Sequence, residues 1–368
     1  MDKTINFFST TISDNSKKYV LETLNDGRIS AGKKAELFEK KLSEYGVINP
    51  VTTNSGTVTM HLALQASGVG PGDEVIIPAQ TFIATGMAVL YCGAKPVFAD
   101  INIHDGNISV ESILSKITLK TKAIIPVHWG GYPCDLDEIN KIGEEYNISI
   151  IEDAAHAFGS KYRDNLIGSI SRFTSFSFQA IKHLTTGDGG AICCKNEDDF
   201  NMVKRLRWFD IDRDNSKVGD LGEREYDAVN VGYKYHMNDI AASMGLGNLE
   251  IIDEKLKKIK VIADLYNEKL ENIRGVVKPL YKEDRESSYW LYPILVARRD
   301  SFVKKMKEHN IPVSVVHQGI DKNTIFGGKD KSLRHQRLFD DSQIHLPIND
   351  EMTIEDVEFI TDIMRKGW

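Results

Sequence analysis

Residues 74–100 read EVIIPAQTFIATGMAVLYCGAKPVFAD. A short apolar run, EVIIP (74–78), is followed by helical spacing from Ile83 to Tyr91 and a second short run, KPVFAD (95–100). Runs of four to six residues bounded by turn formers read as buried strands, and longer periodic stretches read as helices. The pattern repeats outward. KAIIPV (122–127), ISIIED (148–153), FTSFSF (173–178) and GAICCK (190–195) are strand-like, and Val110–Ile117 and Leu136–Tyr146 have helical spacing. A repeat of this kind predicts βαβ crossovers and a mostly parallel sheet flanked by helices. Ligands of such sheets bind at the carboxyl ends of the strands.

Beyond residue 195 the pattern is less regular. Lys195–Trp208 reads as a helix, 210–226 as a charged loop, and Asp239–Ile252 as a helix capped by Asn238 or Asp239. A periodic helix carries Leu256, Ile259, Ile262, Leu265, Tyr266 and Leu270. It connects to strand-like SYWLYPILVA (288–297) and IPVSVV (311–316), a helix near 300–309, and a last helix starting near Thr353. The expected organisation is a large α/β domain over residues 1–250 and a smaller α+β domain over 251–368.

The 368 residues are 41% apolar and 27% charged, with a formal net charge of −7. Such a balance excludes disorder and fibrous classes. It gives no overall field toward nucleic acid or anionic lipid. No apolar run approaches the length of a membrane span, and the first residues lack the pattern of a signal peptide. Cys92, Cys134, Cys193 and Cys194 show no metal spacing. Cys193 and Cys194 adjoin on one predicted strand, so their side chains face opposite ways and do not bridge. The expectation is a cytoplasmic protein with reduced thiols and no metal site.

Three segments carry chemistry-bearing residues. In TTNSGTVTMHLALQAS (52–67) the turn Ser55-Gly56-Thr57 opens a helix. Free N–H groups and the dipole there suit a phosphate, although an ordinary N-cap reads the same way. In ISIIEDAAHAFGS (148–160) a buried strand ends in Glu152 and Asp153. A carboxylate at that depth needs a cationic partner, structural or catalytic. In FSFQAIKHLTTGDGGAI (176–192) Lys182 lies between a strand and a glycine-rich return. A lysine desolvated there becomes an amine nucleophile toward carbonyls. GxxxxGK[ST] and GxGxxG are both absent. A phosphate cup, a strand-end carboxylate and a buried lysine are together what pyridoxal phosphate requires.

These segments, with PAQTFIATGMAV (78–89), PVHWGGYPCDLDEI (126–139) and YKYHMNDIAASMGLGNLE (233–250), resemble the DegT/DnrJ/EryC1/StrS aminotransferases. The resemblance covers nearly the whole chain. It implies an aspartate-aminotransferase-like, fold type I architecture and transamination with pyridoxal 5'-phosphate. By resemblance, Lys182 forms the Schiff base with the cofactor and shuttles the proton, and Asp153 pairs with the pyridinium nitrogen. His156 lies near the cofactor's O3′, and Phe82 stacks on its ring. Ser55, Gly56, Thr57 and Ser177 resemble the phosphate cup, and Asn238 an asparagine reaching the phosphate from a partner subunit. That last correspondence implies a homodimer with shared active sites.

Gln179 stands where family members usually carry His, so it is read as supportive. The stretch IPVSVVHQGIDKNTIFGG (311–328) departs from the family pattern, and His317 and Lys322 are candidates for the substrate side, with Gln318, Asp321 and Asn323 beside them. In the loop WFDIDRDNSKVG (208–219), Arg213 is a candidate for a substrate phosphate. Plain solvated loop charges are the simpler reading at these positions. The expected reaction moves an amino group from L-glutamate to a keto group, on a nucleotide-linked deoxysugar of glycan biosynthesis or, alternatively, on a small phosphorylated ketone. A sugar dehydratase, which carries histidine in place of the lysine, and a non-catalytic regulator on the same scaffold are the remaining alternatives.

Overall fold

The computed structural model describes residues 5–213 and 216–368. Strands β1 (Pro50–Thr53), β2 (Glu74–Pro78), β3 (Lys95–Ala99), β4 (Thr121–Ile124) and β5 (Ser149–Asp153) belong to its main sheet. A small antiparallel pair, β6 (Lys161–Tyr162) and β7 (Asn165–Leu166), follows, and β8 (Phe173–Ser177) and β9 (Gly190–Cys194) complete the main sheet. Its order is β1-β9-β8-β5-β4-β2-β3. β9 runs antiparallel to both neighbours, and the pairs from β8 to β3 are parallel.

Both faces of a sheet covered by helices bury both sets of alternating side chains. Ile76, Ile124, Ile150 and Cys193 point into one core, and Val75, Ile77, Ile151 and Cys194 into the other. The adjacent cysteines therefore face opposite ways, as alternation requires, and all four thiols are buried and free. Helices α1 (Asp14–Asp26) and α2 (Lys33–Tyr45) precede β1, and α3 (Gly56–Ala66) starts three residues after it. The crossovers carry α4 (Ile83–Tyr91), α5 (Val110–Lys116) and α6 (Leu136–Tyr146).

After the sheet come α7 (Glu197–Leu206), a hairpin of β10 (Lys217–Val218) and β11 (Arg224–Glu225), α8 (Asp239–Leu249) and α9 (Ile252–Lys269). Asn238 is the N-cap of α8, its Oδ1 accepting the Ala241 N–H at 2.9 Å. Asp239 instead caps α2 from a distance, accepting the N–H groups of Gly32 and Ala35, each at 3.0 Å.

A second sheet is antiparallel, in the order β12 (Val276–Val277), β14 (Tyr292–Val296), β15 (Gln343–Leu346). Between its first two strands, β13 (Arg285–Glu286) pairs back onto β6. The sheet packs on α9, α10 (Arg299–Glu308) and α12 (Ile354–Arg365) through Tyr266, Phe302, Met306, Val357 and Ile360. The short helix α11 (Arg334–Ser342) leads into β15. The segment 311–316 is not a strand: its one ladder contact is the bridge from Ser314 to His345, so its backbone is free to turn toward the main sheet. The helix expected over 195–208 is shortened to α7 because Asn196 caps it, accepting the Asp199 N–H. Among the described residues no helix is long and apolar enough to cross a membrane.

Candidate active site

The carboxyl ends of β1, β5 and β8 converge. Asp153, the last residue of β5, is buried. Its Oδ2 accepts the Thr85 hydroxyl at 2.8 Å, and its Oδ1 the Ala155 N–H at 3.2 Å. Burial pushes this carboxyl up, and Thr85, the Ala155 N–H and the Lys182 charge work against that shift. Glu152 points the other way, to His128 Nε2 at 2.8 Å and the Ser171 N–H at 2.9 Å. One carboxylate of the pair is thus structural and the other faces the site.

Lys182 lies in the loop joining β8 to β9. The loop is held at its base by Phe178 N–H to Gly189 O and Thr186 N–H to Phe178 O, both 2.9 Å. Gly187 turns it at φ +84°, a conformation glycine adopts without strain. Lys182 is half-buried. Burial pushes its amine down to about 7, with Asp153 opposing, so a large fraction is neutral at pH 7 and able to attack a carbonyl.

Aromatic rings close around this amine. Lys182 Nζ lies 3.5 Å from the centroid of the Trp290 ring, and His156 stacks on that indole at 3.8 Å. His156 is buried, its Nδ1 has no hydrogen-bond partner, and burial, reinforced by Lys182, holds its pKa well below the usual range. His317 stands 6.1 Å from His156 and 5.1 Å from Phe82, ring to ring. Burial and Lys182 push His317 down to about 4. Phe82, ahead of α4, is 53% exposed.

The start of α3 makes a narrow cup against the ends of β8 and β9. Gly190 lies opposite Thr53 on one side and Ser177 on the other. A Cβ at Gly190 would stand 2.6 Å from Phe176 O and 2.9 Å from Gly56 N, and one at Gly56 would stand 2.7 Å from Ser177 Cβ. Glycine is what lets Ser177 approach the first turn of α3. The Ser55 hydroxyl makes no capping bond, and the first N–H groups of a helix have no partner within it. Ser55, Gly56, Thr57 and Ser177 therefore surround a turn with the donors that could hold an anion.

The sequence profile of the DegT/DnrJ/EryC1/StrS aminotransferase family matches residues 10–365. The chain belongs to this family. It is 38% identical to the protein MJ1066 of Methanocaldococcus jannaschii, over 98% of this chain and 96% of that one. It is 36% identical to a GDP-perosamine synthase of Caulobacter vibrioides, over 80% of this chain and 79% of that one. Its fold is that of the sugar aminotransferase CalS13 from Micromonospora echinospora, with a TM-score of 0.93 and 29% identity, covering 99% of this chain and 100% of that one. The DegT/DnrJ/EryC1/StrS family is pyridoxal-phosphate-dependent, and this member is an aminotransferase with the expected α/β architecture.

Other residues singled out in the sequence fall elsewhere. Gln179 is exposed on the Lys182 loop, where its Oε1 accepts the Ile181 N–H at 3.1 Å. Asn238 is exposed and makes no bond to the cup residues among the described residues. Arg213 lies over Trp208, at 5.1 Å, in a separate cleft of about 590 Å³ that Arg205, Arg207 and Arg224 also line. Asp214 and Asn215 of that loop lie outside the described residues. Lys322 ends the short helix 320–322, where it is exposed and donates to Gln318 Oε1. Thr85 and Trp290 were missed. Thr85 lies one turn after Phe82, a spacing that placed it on the same end of the helix. Trp290 stood in the alternating run 288–297, with nothing local to mark its partner.

Proposed function

We propose that this chain binds pyridoxal 5'-phosphate and moves an amino group from L-glutamate to the keto group of a nucleotide-linked deoxysugar. The observation that carries this reading is the Lys182 amine, with its pKa lowered to about 7 by burial and close enough to Asp153 for their charges to interact, on the loop that leaves Ser177 at the end of β8. The residues fit the cofactor. His156 Nδ1 is an orphaned buried nitrogen available to its phenolic oxygen. The cup of Ser55, Gly56, Thr57 and Ser177 suits its phosphate, and the exposed Phe82 ring can cover its face. When bound, the cofactor supplies an electron sink for the substrate carbon that loses a proton.

The protein's own groups do the rest. Asp153 keeps negative charge at the ring nitrogen. Lys182 Nζ takes the proton from the substrate carbon and returns it on the other side of the reacting nitrogen. His317 stays neutral at pH 7 and faces the acceptor as a hydrogen-bonding group without charge. Arg213 and Asn238 lie outside the Lys182 cluster of their own chain, and we assign both to the neighbouring site of a homodimer. Arg213 there meets the diphosphate, and Asn238 the cofactor phosphate. The arginine-lined cleft and the GDP-sugar relative support a nucleotide-linked acceptor.

The near-visible spectrum of the cofactor-loaded protein tests this. Adding L-glutamate should lower the longer-wavelength band and raise a shorter one, and Lys182→Ala should lack the first band altogether. No band after loading, or an unchanged band in Lys182→Ala, would overturn the assignment. Nucleotide-linked ketosugars and small keto-phosphates, offered side by side as acceptors, then separate the two acceptor classes.

A further inference from the structure

We propose that Trp290 is a positioning residue for Lys182, its indole face holding the lysine ammonium in place while the freed amine carries the proton. The proposal rests on Lys182 being the reacting amine. Among the described residues Lys182 Nζ makes no hydrogen bond or ion pair, and it lies 3.5 Å from the Trp290 ring centroid. An ammonium set over an aromatic face is attracted by the ring quadrupole, and a neutral amine gains little from it.

The indole is itself fixed by the parts of the site it would serve. Its Nε1–H donates to the carbonyl of Ile181, the residue before the lysine, at 2.9 Å. It stacks on His156 at 3.8 Å with an interplanar angle of 17° and on Phe8 at 5.3 Å with an angle of 23°. Only 4% of Trp290 is exposed. The preceding Tyr289 has φ +53°, a backbone conformation that a bulky residue adopts only when its surroundings enforce it. Strain immediately before a buried tryptophan, aimed at a lysine loop it also hydrogen-bonds, indicates a ring set in place for that loop. The protonated lysine then has an anchored position on the indole, distinct from the bond it would make to the cofactor. Once protonated, the freed amine does not wander into solvent.

The sign of one titration separates this role from mere packing. In the full-length, cofactor-free protein, the reactivity of Lys182 toward acetic anhydride is followed against pH by mass spectrometry of its peptide. Removing a ring that stabilises the ammonium lowers the pH of half-reactivity, whereas a packing defect admits water and raises it toward the ordinary lysine range. Trp290→Leu should lower it by roughly half a unit to one and a half units. Trp290→Phe, which keeps an aromatic face, should lie between the two proteins. An unchanged or raised midpoint in Trp290→Leu overturns the proposal. Should that variant not fold, Trp290→Phe alone decides: a small fall supports the proposal, and no change or a rise overturns it. The readout needs neither cofactor nor turnover, so a failure of the transaminase reading would show separately, as the absence of a near-visible band after loading.

Discussion

Side-chain alternation along β5 sends Glu152 to His128 and Asp153 to the site, although the two carboxylates adjoin in the chain. Asp153→Asn keeps the shape and removes the charge. We expect this variant to retain cofactor and to lose turnover by roughly 10²-fold or more, as removal of a preorganised electrostatic partner does. Steady-state rates at saturating cofactor check it, and full activity would make Asp153 a structural residue. Asp153 and Lys182 were legible in the sequence because each sits at a recognisable local place, a strand end and a glycine-rich return. Trp290 was not. Its partner Lys182 lies more than a hundred residues earlier, and only the packing of the second sheet's first turn against the main sheet brings them together.

Among the elements, β9 has the most demanding geometry. It enters antiparallel between β1 and β8, and its first residue, Gly190, has backbone on both sides. Backbone cannot give way as a side chain can, so Gly190→Ala should cost about 1–3 kcal/mol of stability by urea unfolding, with weakened binding of the cofactor's phosphate. The N-terminal segment before α1 is a second constrained element. Ser9 and Thr11 each donate to Asp350 at 2.7 Å, and buried Lys255 lies 4.0 Å from the same carboxylate.

Burial raises the Asp350 pKa, but Lys255 and the two hydroxyls outweigh it and hold the carboxyl below its usual range. The contribution of Asp350 to stability is therefore complete above the unfolded value of about 3.9 and is lost as the pH falls through the folded value. Asp350→Ala leaves Lys255 buried and unpaired, at a cost of about 3 kcal/mol near neutrality. In denaturant titrations the gap to the native protein should close as the pH drops below 4, and a gap independent of pH would remove the carboxylate from the explanation. The strands of the main sheet were readable because buried parallel strands are short apolar runs. The expected strand at 311–316 was not formed, and β15 was overlooked, because QIHL carries a glutamine and a histidine whose burial depends on partners distant in sequence, Gln80 and Ser314.

Among the described residues, large apolar side chains stand exposed at many places along the chain. Leu21 and Leu24 of α1 are open to solvent, as are Val229 and Val231 of the segment leading to Asn238. Surface of this kind supports the homodimer proposed above. Sedimentation should give twice the 41.4 kDa chain mass, and Asn238→Ala should weaken cofactor retention while leaving the dimer intact. A fully active monomer would exclude a shared site. The four buried thiols have a practical consequence for watching this molecule come apart. Burial raises the pKa of each, so in the native state they are shielded from a disulfide reagent and poorly ionised. Cys193 and Cys194 share the strand that begins at Gly190, one on each face. The rate at which they become labelled is thus a clock for the opening of the central layer, read from opposite sides without any introduced probe.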